Sequence, residues 1–94
     1  MDLSEIRAKI DAVDEQLLEL FLQRMALAED VGRYKKANNL PILNTTREQE
    51  VLDKVSARAG DRADYACRMF SSLFALSRAR QEEILAESSD DAKG

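Results

Sequence analysis

The chain has 94 residues, 45% of them hydrophobic, and carries a net charge of −4 with no tryptophan and no histidine. A chain of this size buries one modest core and reads as a single domain, and its negative balance argues against nucleic acid or an anionic membrane as a partner, since each needs a dominant positive field. With no histidine and Cys67 as the single cysteine, no His/Cys metal centre, Ser-His or Cys-His catalytic pair, or internal disulfide can be assembled, so an anionic ligand has to meet a local cluster of Arg and Lys.

Three glycines and one proline are few, and the abundant Leu, Ala, Glu, Lys, Arg and Gln are good helix formers, so the expected fold class is all-α. Asp2 followed by Glu5 resembles a capping box. From there Leu3, Ile6, Ile10, Val13, Leu17, Leu20, Leu27, Val31 and Tyr34 recur at alternating spacings of three and four, which is a heptad seam. The seam stops at Asn38-Asn39, where asparagine tolerates the left-handed region and Pro41 blocks a return. A first helix over about residues 3 to 37 is therefore predicted. It would be about 50 Å long, whereas a compact chain of this length is roughly 30 to 35 Å across. Its protruding apolar seam has to be covered by another chain, which predicts an intertwined helical homodimer.

A short second helix is expected to begin near Asn44-Thr45-Thr46, with Thr45 and Glu48 as a capping box. It carries Val51, Leu52 and Val55 inward and stops before Gly60. A third, of medium length, starts around Asp61 to Asp64, buries Ala66, Met69, Phe70, Leu73, Phe74, Leu76 and Ile84, and ends near Glu87. Residues 1–87 form the helical domain on this reading, and residues 88–94 a polar tail with no fold of its own. Cys67, among Ala66, Met69 and Phe70, suits a small core residue in a reducing compartment. With neither a signal peptide nor an apolar run long enough to span a membrane, the expected location is cytoplasmic.

Chemistry enters where the pattern wants apolar residues and finds polar ones. Arg24 sits in the seam between Leu20 and Leu27, where a buried guanidinium costs several kcal/mol unless it is paired or offered an anion. The alternative is a register-fixing polar residue of the coiled-coil kind. Lys35, eleven residues on, returns to nearly the same face about 16 Å along the axis, although alone it is also a favourable charge near a helix C-terminus. Ala28 and Gly32 between them are small, leaving room for a ligand or allowing close helix packing. Arg7 lies about 25 Å from Arg24 along the same helix and reaches a shared ligand only from a second chain. Its other reading is a solvated side chain paired with Asp11. Ser77 falls on the stripe of Phe70, Leu73 and Ile84, and Gln81 one turn on points nearly the same way; either is also readable as a satisfied interfacial polar group. Arg78 and Arg80 are expected to face solvent or the dimer partner.

This ordered set resembles the all-helical class of chorismate mutases, which convert chorismate to prephenate. The matching text is Ile6-Arg7 with Ile10-Asp11-Ala12-Val13-Asp14, then Arg24, Val31-Gly32-Arg33 with Lys35, Pro41-Ile42, Arg47-Glu48, and Ser77 with Gln81. It spans about residues 3 to 85. The resemblance implies a homodimer with two pockets, each completed by the first helix of the other chain. It implies that Arg24 and the partner's Arg7 hold the two substrate carboxylates, supported by Arg47 and Ser77. It implies that Lys35 and Gln81 hydrogen-bond the ether oxygen, and that Glu48 accepts from the ring hydroxyl. Asn44 stands where the family often has an aspartate near that hydroxyl, and it can offer a carbonyl oxygen there or cap the second helix. The reaction so implied is a unimolecular rearrangement needing no metal, nucleophile or cofactor. Two other readings stay open. One is an isochorismate-pyruvate lyase of the same fold, a group that by resemblance lacks a glutamate directly after the second-helix arginine. The other is a non-catalytic helical dimerisation or regulatory module.

Overall fold

The computed structural model describes residues 1–87; the expected polar tail, residues 88–94, lies outside the described residues. The first helix, α1, spans Leu3–Ala37. It begins where Asp2 in extended backbone accepts from the Glu5 amide at 2.9 Å, satisfying one of the donors a helix start leaves free. It ends at Asn38, whose side-chain amide donates to the Tyr34 carbonyl at 2.8 Å. Asn39 then takes a positive φ of 54°, the backbone state that asparagine tolerates better than most residues. Both ends agree with the signals read from the sequence.

The second helix, α2, spans Thr45–Ala59, and the third, α3, spans Ala63–Ala86. A 3-10 turn over Gly60–Arg62 joins them, with Gly60 at φ 62°, where a side chain would be strained. The predicted α2 capping box is out of register. Asn44, not Thr45, is the N-cap, its Oδ1 accepting from the Arg47 amide at 3.0 Å, so Glu48 lies one position too deep to complete a box and its carboxylate is used elsewhere. The fold is all-helical, with no strand among the described residues.

Within the chain α3 packs on both α1 and α2. Gly32 makes the α1–α3 approach close: a Cβ there would stand 3.1 Å from Gln81 Cγ and 3.4 Å from Gln81 Cα. That decides between the two readings of Gly32 for helix packing. Two further ties hold the pair. Lys36 Nζ donates to the Ile84 carbonyl at 3.1 Å and to the Glu87 carbonyl at the end of α3. Arg80 Nε meets Glu29 Oε2 at 2.6 Å and its Nη1 meets Glu83 at 3.3 Å. The hydrogen bond from Arg80 holds the Glu29 carboxyl below its ordinary range, against partial desolvation that pushes it up. Arg80 therefore does not simply face solvent or a partner, as its place in the sequence suggests. Cys67 is half-buried, its thiol 3.9 Å from the Leu52 carbonyl.

What one chain buries is small. Among the described residues the buried apolar ones are Ala28, Ile42, Phe74 and Ile84, and every residue from 1 to 20 is exposed. The α1 seam lies open through Leu3, Ile6, Ile10, Val13, Leu17 and Leu20, then Leu27, Val31 and Tyr34. Met69 and Leu76, which the periodicity of α3 predicts to be buried, are 47% and 49% exposed. The Cα trace measures 58 × 31 × 13 Å with a radius of gyration of 17.2 Å, against about 12 Å for a compact chain of this length. A trace 13 Å thick is close to one layer of helices, and a stable core needs at least two.

Candidate active site

Where α1, α2 and α3 converge they enclose an open cavity of about 310 Å³, within the range of small-ligand pockets. Seven of the eight residues singled out in the sequence line it: Arg24 and Lys35 from α1, Asn44, Arg47 and Glu48 at the start of α2, and Ser77 and Gln81 from α3. Leu27, Val31, Ile42, Val51 and Phe74 supply its apolar wall. The eighth, Arg7, is exposed on the uncovered part of α1 and does not line the cavity of its own chain. Its expected i+4 partner Asp11 makes no ion pair with it among the described residues.

Three of the cavity's donors, Arg24, Lys35 and Gln81, are fixed by bonds within the chain. Arg24 is half-buried, with Nη1 donating to Ser77 Oγ at 2.7 Å and its guanidinium carbon 5.7 Å from the centre of the Phe74 ring. Phe74 in turn meets Phe70 edge-on, with ring centroids 6.4 Å apart. Lys35 Nζ donates to the Ile42 carbonyl at 2.7 Å, drawing it over the loop between α1 and α2. Gln81, 6% exposed, donates through Nε2 to the Ala28 carbonyl at 2.9 Å. These bonds use a fraction of what the groups carry, since a guanidinium has five N–H donors, an ammonium three and an amide two. The unspent donors have pre-set positions.

The lining has four cations, Arg24, Lys35, Arg47 and Arg78, and one carboxylate, Glu48. A chain of net charge −4 thus gathers positive charge at one concavity, where low-dielectric walls strengthen its hold on an anion. Arg78 was not singled out by the sequence, which leaves it facing solvent or the partner. In the structure it lines the cavity and pairs with Glu48. Phe74, the platform under Arg24, was likewise readable only as core.

Gly32 bears on this geometry. A methyl group there would press on Gln81 and shift its amide by a few tenths of an ångström. Gly32→Ala should therefore keep its helix content, because alanine favours a helix interior by about 1 kcal/mol, while turnover falls roughly tenfold from misplacement of the amide. Steady-state kinetics beside thermal melting checks this; an unchanged kcat would sever the link between Gly32 and Gln81.

Residues 6–82 match the family described as chorismate mutase type II. A chorismate mutase of Methanocaldococcus jannaschii is 30% identical over 97% of this chain and 95% of its own length. The bifunctional chorismate mutase/prephenate dehydratase of Aquifex aeolicus is 41% identical over 57% of this chain, and that of Escherichia coli 33% over 85%. The matched parts make up 15% and 22% of those longer proteins. No solved structure matches the chain.

Proposed function

The chain belongs to the type II chorismate mutase family, and from that premise we propose that its cavity rearranges chorismate to prephenate within an intertwined homodimer, for aromatic amino-acid biosynthesis. The observation that carries this reading is the set of three internally fixed donors, Arg24, Lys35 and Gln81, around one cavity. The reaction breaks an ether C–O bond and forms a C–C bond within one molecule. The protein has to fold a flexible dianion into its reactive chair and stabilise the charge that builds on the ether oxygen.

Arg24 holds one substrate carboxylate, with Ser77 and the Phe74 ring keeping the guanidinium from swinging away. Arg47 supports that end. The second carboxylate falls to Arg7 of the partner subunit, in keeping with the open seam that carries Arg7 and with the single-layer shape of the chain. Lys35 and Gln81, anchored to backbone carbonyls, turn their remaining donors on the ether oxygen. Removing one such preorganised donor costs about 3 kcal/mol, or roughly a hundredfold in rate. Glu48 accepts from the ring hydroxyl. Asn44, committed by its carbonyl oxygen to capping α2, has its amide N–H groups left for this end of the cavity. We further read the enzyme as cytoplasmic, in keeping with its single free cysteine.

The test is an assay of the purified chain with chorismate and, separately, isochorismate. Prephenate from chorismate is the expected product. Salicylate and pyruvate from isochorismate would move the site to the lyase of the same fold, and a folded dimer that turns over neither would point to the dimerisation module.

A further inference from the structure

The ion pair between Arg78 and Glu48 differs in kind from most others in the molecule. Arg33–Asp30, Arg62–Asp61 and Arg68–Asp64 are short-range in sequence, with side chains 60–94% exposed. Arg78 and Glu48 are thirty residues apart, on α3 and α2, with side chains 34% and 26% exposed, and both line the catalytic cavity. Arg78 follows Ser77 directly. Consecutive residues of α3 therefore brace two cavity groups on two other helices: Ser77 fixes Arg24 on α1, and Arg78 fixes Glu48 on α2.

We propose that Arg78 is a positioning residue that makes the ring hydroxyl of the substrate a specificity determinant: it pins Glu48 Oε2 across the α2–α3 junction and leaves Oε1 to accept from that hydroxyl. Glu48 is the lone carboxylate of the lining, in a cavity that on the mutase reading takes a dianion. Unbraced, it would turn among rotamers toward solvent or repel the substrate. Braced by a charge-assisted bond, it presents one oxygen in one place and its charge is offset. A site built to hydrogen-bond a substrate hydroxyl discriminates against an analogue lacking it, because the acceptor is then left unpaired. The inference rests on the mutase reading of the cavity.

The experiment compares kcat/KM for chorismate and for its analogue with hydrogen in place of the ring hydroxyl, in the wild-type dimer and in Arg78→Met and Arg78→Lys. Arg78→Met should lose about tenfold on chorismate and less than about twofold on the deoxy analogue, so that discrimination contracts, while Arg78→Lys retains most of it. In a Glu48→Leu background, which has no acceptor left at that position, Arg78→Met should cost chorismate nothing further. Equal losses on both substrates with wild-type melting, or no loss on either, would overturn the positioning role. Should Arg78→Met fail to fold, the Arg78→Lys ratio and the Glu48→Leu ratio decide: discrimination at wild-type level in Glu48→Leu contradicts the proposal. A wild-type dimer inactive on both substrates would instead remove the mutase reading, and this inference with it.

Discussion

Replacing Arg24 with leucine is expected to leave a folded, helical dimer and to lower kcat/KM by roughly three orders of magnitude. The loss follows from what Arg24 is asked to do. A charged group that meets a substrate carboxylate in a partly dehydrated cavity contributes about 2 to 5 kcal/mol when its truncation leaves the partner charge unpaired, and about 4 kcal/mol is a thousandfold. The fold is spared for a separate reason. Arg24 is only half-buried and its bond inside the chain is to one hydroxyl, Ser77 Oγ, which can turn to the backbone carbonyl four residues earlier in its own helix. Leucine in the seam between Leu20 and Leu27 also removes a desolvated charge from an apolar stripe. If Arg24 serves only to fix register, the leucine variant should be more stable with its biological role intact. Kinetics together with thermal melting separates the two, since a stable variant with wild-type turnover would contradict the clamp.

Gln81→Glu should be at least a hundredfold slower than the wild type near neutrality and recover as the pH is lowered. In the wild type the amide donates to the Ala28 carbonyl and has a second N–H to offer. An ionised carboxylate offers none. It would also face the Ala28 carbonyl at a position only 6% exposed, and both burial and that repulsion raise its pKa above the ordinary value. The protonated form has one O–H donor, enough for either the carbonyl or the ether oxygen, so recovery in acid should be partial. Above the variant's pKa, activity should fall roughly tenfold per pH unit. The stability linkage has the same sign. A carboxyl that holds its proton more tightly folded than unfolded contributes most below the unfolded pKa, about 4.3, and that contribution is lost as the pH rises through the folded value. Melting and turnover should therefore improve together on acidification. A flat pH profile for the variant would remove Gln81 from the ether-oxygen site.

These expectations depend on features of unequal legibility. The bounds of α1 could be read from the sequence because they are local: Asp2 caps it, Asn38-Asn39 and Pro41 end it, and the alternating seam between them has one period. Periodicity sets Arg24 and Lys35 on one face of α1, and Ser77 and Gln81 on one face of α3; that the two faces meet at one cavity was implied by the family resemblance, not by the spacing. The start of α2 was harder, since Asn44 and Thr45 are both competent caps and the choice rests on one residue of register. The pairs Arg78–Glu48 and Arg80–Glu29 were not legible, because each links residues 30 or 51 positions apart and depends on how α3 is rotated against its neighbours. Met69 and Leu76 mark another boundary. Periodicity shows that their face of α3 is apolar but does not tell whether the chain itself covers it.

On the proposed reading each cavity is completed by a second chain, with Arg24 from one and Arg7 from the other. Arg7→Ala chains and Arg24→Ala chains, each expected to have roughly a hundredth or less of wild-type activity, should be unfolded, mixed in equal amounts and refolded. Random pairing makes half of the dimers mixed, and each mixed dimer has one cavity with both arginines, so activity should return to about a quarter of the wild type. A mixture in which mixed dimers form but activity stays at the parental level would contradict the shared cavity.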